Sequence, residues 1–267
     1  MTSPTNSENL GSENSDPQSR TASSSEDKGT LTFVANGEDF VRQGFVSKDG
    51  WQIDFDHVYT TLGQLVAYQS DPPFDAASGG EPQAQQTVTL PEPATVDLAA
   101  GDATADPVQV GTQQAASGRY NALSWTLVPA PSGPAKGYSL MLVGQATKAG
   151  TTVDFALKMD PKLRFVCGDF VGDTRRGILD PGSTTELEST FHFDHLFGDA
   201  EAGPTAEINQ KALGFQPFAD LAENNRLEAD SQTLKTQLSS SNWQQLNDIM
   251  ANLGHVGEGH CAAEQLA

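Results

Sequence analysis

From Trp51 to Tyr59 the side chains alternate, with Trp51, Ile53, Phe55, His57 and Tyr59 set against Gln52, Asp54, Asp56 and Val58. A two-residue period over nine positions predicts a strand with one buried face. Leu31, Phe33 and Val34 open an earlier strand, which Gly37-Glu38 turns. Between Ser70 and Ala116 the pattern dissolves into Pro, Gly, Gln, Ala and Asp. Only TVTL and TVDLAA there have the look of short edge strands. Strand signals resume in YNALSWTLVPA, GYSLMLVGQAT, TTVDFALKM and KLRFVCGDF, spaced about ten residues apart by Gly, Pro and Ser. GILDPGSTTELESTFHFDHLF adds one or two more, the second expected over Thr185–Phe193.

Past Gly203-Pro204 the apolar spacing widens to three and four residues, first in TAEINQKALGFQPFADLA and then over Leu221–Leu238. The clearest helix is SNWQQLNDIMANLG, with Ser241 as cap, Gln244 at the capping-box position and Gly254 as the terminating glycine. The expected fold is therefore mainly β: an antiparallel β-sandwich or open barrel over residues 30–267, with C-terminal helices at about 205–253.

Composition sets the remaining bounds. Apolar residues make up 37% of the chain, below the roughly 45–50% of globular proteins. Part of the deficit lies in residues 1–29, a Ser/Asn/Glu-rich stretch that cannot bury enough apolar area to offset its ordering entropy and reads as a disordered tether. Fifteen basic residues against 35 acidic ones give a net charge of −20, which argues against nucleic acid or an anionic membrane surface and permits a cation. No transmembrane run and no signal peptide occur in the sequence. The tether ahead of a β-rich body nevertheless resembles, in composition, the region following the lipidated cysteine of bacterial lipoproteins. That resemblance implies a periplasmic or cell-surface protein, lipid-anchored through a trimmed N-terminus.

The five histidines are not scattered. His57 lies in IDFDHVY (Ile53–Tyr59), which aligns position for position with FHFDHLF (Phe191–Phe197), the home of His192 and His195. His255 and His260 fall in GHVGEGHC with Glu258 between them. Imidazole and carboxylate are common ligands of zinc and other divalent first-row ions. The candidate ligands are thus His192, His195, His255, His260 and His57, with Asp194, Asp56 and Glu258 as supporting or alternative donors. His195 joins His192 and Asp194 only if the chain bends after Phe193. The competing reading has these rings partly buried and hydrogen-bonded to backbone, with the aspartates serving turns.

Cys167 and Cys261 are the only cysteines. In an oxidising compartment they are expected to pair, closing a loop of about 95 residues and pinning His260 to the end of the KLRFVC strand. A metal site using Cys261 itself is the rival arrangement. HExxH, CxxC, GxSxG, a P-loop, GxGxxG and an EF-hand loop are all absent. Asp97, Asp102 and Asp106 are spaced too widely for an EF-hand, and Asp199, Glu201 and Gly203 read as a solvated loop.

The expected function is an exported metal-binding protein, zinc favoured, with a non-catalytic role in uptake, storage or delivery. A membrane transporter or other envelope protein is the partner such a role implies. The alternatives are a carbohydrate-binding or adhesive module displaying Trp51, Trp125 or Trp243, and a zinc-dependent hydrolase using Glu258 as base.

Overall fold

The structure, a computed structural model, describes Met1 and residues 27–267. Most of the segment expected as a tether lies outside the described residues, and regular structure begins with β1 (Lys28–Asn36). A helical turn α1 (Phe40–Gln43) and the short β2 (Phe45–Val46) lead into β3 (Gln52–Ser70), 19 residues long. The Pro/Gly/Gln-rich stretch holds more order than its composition suggests. β4 (Ala84–Leu90) and β5 (Ala94–Asp97) contain the two short motifs, and β6 (Val108–Ala116) was not anticipated. β7 (Gly118–Arg119), β8 (Ala122–Leu127), β9 (Leu140–Lys148), β10 (Thr151–Met159) and β11 (Leu163–Cys167) follow. β12 (Ile178–Leu179) and β13 (Thr184–Phe191) complete the first body of strands.

The later part of the chain alternates helix and strand. α2 (Asp194–Phe197), α3 (Glu207–Lys211) and α4 (Gln216–Ala219) precede β14 (Arg226–Asp230). Then come α5 (Ser231–Gln237), α6 (Ser240–Ala251), β15 (Gly254–Val256), β16 (Gly259–His260) and β17 (Ala262–Gln265). The helical expectation over Leu221–Leu238 is corrected in its middle: Arg226–Asp230 pairs in parallel with β10, burying Leu227 and Ala229. Two alternating apolar residues on a sheet edge override a weak helical spacing. The α6 cap is Ser239, whose Oγ accepts from the Asn242 amide at 3.1 Å, rather than Ser241. Gly254 does not end the helix but opens β15.

The strands form a β-sandwich. The smaller sheet runs β16-β15-β13-β1-β6, and the larger runs β14-β10-β9-β3-β8-β11-β17, with β2, β4 and β5 paired to β3. Most pairings are antiparallel, but β1–β13 and β10–β14 are parallel. Trp125 on β8 meets Phe191 on β13 with ring centroids 6.0 Å apart, and Phe55 on β3 meets Phe193 at 6.3 Å. Aromatic side chains of this size each contribute about 1.5–3 kcal/mol on full burial. Phe191 and Phe193 are fully buried, so they fix the backbone on both sides of His192.

Cys167 and Cys261 form a disulfide that joins the end of β11 to the residue before β17. It fits an oxidising compartment. Among the described residues, no helix is long and apolar enough to cross a membrane.

Candidate metal centre

β13 ends at Phe191, two residues before the expected boundary, and the chain turns helical at Phe193. The His192 amide still donates to Leu253 O at 3.2 Å, extending the pairing with the segment that leads into β15. The following turn carries the His195 amide back onto His192 O at 3.2 Å. His195 is thereby folded over His192, with ring centroids 5.4 Å apart.

The other two histidines arrive on a hairpin. Gly257, at φ +57°, takes the first turn position between β15 and β16, where a two-residue turn of the II′ kind requires glycine. A Cβ there would also collide with Val171 O. The turn makes His255 and His260 direct cross-strand partners, and β13 pairs Thr190 with His255. Partners share a sheet face and diagonal neighbours lie within reach of long side chains. The register therefore stacks His192 against His255, at 4.2 Å between centroids, and His255 against His260, at 4.4 Å. His195 lies 5.1 Å from His255 and 6.1 Å from His260.

Four of the five histidines thus meet at one place, and three of them are oriented by backbone carbonyls. His192 Nε2 lies 3.3 Å from Gly257 O, His195 Nδ1 3.2 Å from Asn252 O, and His255 Nδ1 3.4 Å from Leu253 O. A carbonyl oxygen only accepts, so the nitrogen facing it carries the proton and the other keeps its lone pair. Ring orientation by an N–H to a carbonyl is the usual support of a metal-bound histidine. His255 Nε2 lies 2.6 Å from His260 Nδ1. Two tetrahedral zinc ligands at about 2.0–2.1 Å stand roughly 3.3 Å apart, so the pair needs only to part slightly to admit an ion. His192, Asp194 and His195 bring one potential ligand atom each within 4.8 Å of one another.

Burial sets the protonation. His192 and His255 are 6% and 2% exposed. Burial, reinforced by the surrounding imidazoles, pushes His255 down to about 3. His195 and His260 are also lowered, chiefly by burial. His255, His195 and His260 are thereby biased toward the neutral form, the one that binds metal.

The carboxylates divide by role. Asp194 Oδ1 accepts from the His195 amide at 2.9 Å and lies 3.9 Å from His192 Nδ1. Glu258 is exposed at the hairpin turn. Glu38, read in the sequence only as part of a turn, places Oε1 3.4 Å from His192 Nε2. Burial and then the charges of Asp194, Glu258, Glu188 and Asp39 push its carboxyl up to about 7. Glu188 is 4% exposed, held by Asn36 and Thr190 and by an ion pair of 3.0 Å to Arg176. Glu38 stands far from these histidines in the sequence and is brought to them by the parallel pairing of β1 with β13, whereas Glu188 lies on β13 itself, four residues before His192.

His57 and Asp56 are not part of the cluster, which corrects their place among the candidate ligands. The β3–β9 register skips a residue between Phe55 and His57, leaving Asp56 as a bulge. A bulge reverses which face the following residues take. Val58 is fully buried, while the His57 side chain is 49% exposed, stacked on Tyr59 with Nδ1 2.7 Å from Asp97.

The acidic fragments have structural occupations. Asp97 accepts from the Val58 and Ala99 amides as well as from His57. In the Asp199–Gly203 loop the Asn209 amide group donates to Asp199 O, Ala202 O and Gly203 O, filling the carbonyl cage a cation would need. Asp169 pairs with Arg119. Cys261 is consumed by the disulfide, which removes it as a metal ligand.

No family model, curated protein or solved structure matches this chain.

Proposed function

We propose that this chain is an exported metal-binding protein of the cell envelope. His192, His195, His255 and His260 take one divalent first-row ion, zinc favoured, for uptake, storage or delivery rather than turnover. The observation that carries this reading is the orientation of the rings: three are turned by the carbonyls of Gly257, Asn252 and Leu253, each leaving one unprotonated nitrogen. His260 joins them through a hydrogen bond of 2.6 Å between its Nδ1 and His255 Nε2, which an ion bound between the two rings would replace. The charge of −20 draws cations toward the site, and the disulfide supports export. Lipid anchoring rests on the Ser/Asn/Glu-rich segment alone.

A non-catalytic role is favoured because, among the described residues, no glutamate is placed as a base facing the position an ion would take. Glu258 is exposed at a turn, and Glu38 faces the nitrogen of His192 that also meets Gly257 O. The sugar-binding alternative loses two of its platforms, since Trp51 and Trp125 are core residues at 5% and 0% exposure.

The test is direct. Protein stripped of metal and dialysed against zinc should retain about one equivalent and melt at a higher temperature by mass action. Elemental analysis showing no bound metal, with an unchanged melting curve, removes the proposal.

A further inference from the structure

A cleft of about 760 Å³ lies between α3, α6 and the histidine hairpin, and His195 and His260 form one end of it. These are the two members of the cluster that are not fully buried. An ion bound there would be approached from this side. Six waters around an ion occupy roughly 180 Å³, whereas small-molecule sites run about 300–1,000 Å³. The cleft is sized for an organic ligand.

Its lining also has a chemical bias. Ile208 and Ile249 supply apolar surface. The amides of Gln244, Gln245 and Asn252 are all oriented by groups that can only accept: Asp248 Oδ1, Lys211 O with Ala212 O, and Asp248 O, at 2.7–3.0 Å. Each NH2 is therefore engaged by an acceptor of the protein, and each amide oxygen, which can only accept, is available to a donor. The single lysine, Lys211, is paired with Glu207 at 2.5 Å. Asp248 leaves one further carboxylate against it. The cleft is rich in acceptors and its net charge is negative.

Resting on the metal reading above, we infer that this cleft binds a small amine-bearing organic ligand that adds a donor to the metal. The protein then handles its ion as a complex with a nitrogenous chelator. The cationic amine lies against Asp248 and the amide oxygens, and the coordinating end reaches the ion between His195 and His260.

The test uses cobalt(II), a coloured stand-in for zinc whose visible absorption reports its ligands. Cobalt-loaded protein is titrated with histamine and with 4-methylimidazole, which share the imidazole and differ in the protonated amine. Histamine should bind about tenfold more tightly at low salt, as charge-assisted hydrogen bonds allow. Asp248→Asn, on the exposed side of α6, should cut that ratio about threefold without changing cobalt affinity. Equal affinities for the two probes, or a ratio untouched by Asp248→Asn, overturn the inference and leave the metal reading standing. A protein that takes up no cobalt overturns both.

Discussion

Ile53–Tyr59 and Phe191–Phe197 carry the same run of Phe-Asp-His between apolar residues, and they lie on opposite sheets of the sandwich. In the first, a bulge at Asp56 turns His57 outward onto Asp97. In the second, the strand stops, a turn of helix folds His195 over His192, and a hairpin closes on the pair. The copies share a core function, since Phe55 packs on both Phe193 and Phe197. They differ in what lies beyond the core. Short motifs fix which residues are buried; neighbouring segments decide whether their polar members meet a partner.

The largest effect expected from testing this contrast comes from the disulfide, which ties the hairpin to β11 and has no counterpart near His57. Its sequence separation is 94, for which chain entropy gives about 4–5 kcal/mol. Replacing both cysteines by serine should lower the urea midpoint accordingly and weaken metal retention. An unchanged midpoint would mean the hairpin is held by β-pairing alone.

Next come the histidines themselves. His192→Ala or His195→Ala should reduce zinc affinity by more than the roughly 10–100-fold typical of supporting residues, while His57→Ala leaves it unchanged. Calorimetric titration of the three variants decides the matter. Equal losses would restore the two motifs to equivalence and remove the distinction drawn between them.

Gly257→Ala acts on the turn and on the Val171 and His192 contacts that Gly257 makes. The positive φ and the approach to Val171 O predict a loss of about 1–3 kcal/mol of stability. The comparable change at Gly150, where φ is +84° and nothing lies within 4 Å of the new Cβ, should cost less. Thermal melts of the two variants compare a crowded turn with an open one.

The smallest effect is the pH dependence of the metal-free protein. His255 is lowered to about 3 in the folded state, so the unfolded chain binds its proton first as pH falls below about 6.5. That stability is present above 6.5 and lost toward 3, and the lowered His195 and His260 act in the same direction. Glu38, raised to about 7 from 4.5, opposes this: its contribution is present below 4.5 and lost as pH rises toward 7. Glu38 offsets only part of the histidine slope between about 4.5 and 6.5 and leaves that slope unopposed below 4.5. Glu38→Gln should therefore steepen the fall of the urea midpoint between about pH 6.5 and 4.5; a profile unchanged by the substitution would show that Glu38 is not held protonated.

Much of this was legible in the sequence because it depends on local pattern. Alternation located β3, strand-rich runs punctuated by Gly, Pro and Ser located β8, β9, β10 and β11, and the GHVGEGHC spacing singled out two histidines that a tight hairpin makes cross-strand partners. The cysteine pairing followed from their number. What the sequence concealed was long-range or phase-dependent. A single bulge at Asp56 reverses the face of His57, and no residue type announces it. β6 and β14 hold sheet edges that composition disguised as loop and helix. Glu38 reaches the histidines through a parallel pairing that has no local signature.

That parallel pairing bears on the order of assembly. Asn36 and Glu188 are bonded across 152 positions of chain, and such a closure costs entropy before any contact repays it. The histidine cluster depends on β13 reaching β15, and on β1 lying beside it to bring Glu38. An ion bound at this site would therefore arrive on a nearly finished fold, unlike in a zinc finger, where it organises a short local segment. Zinc should slow unfolding and leave the refolding rate unchanged; refolding that accelerates with zinc would place the cluster in the nucleus instead. A late-forming site makes occupancy a sign that the fold is complete, so incompletely folded chains would not compete for scarce metal.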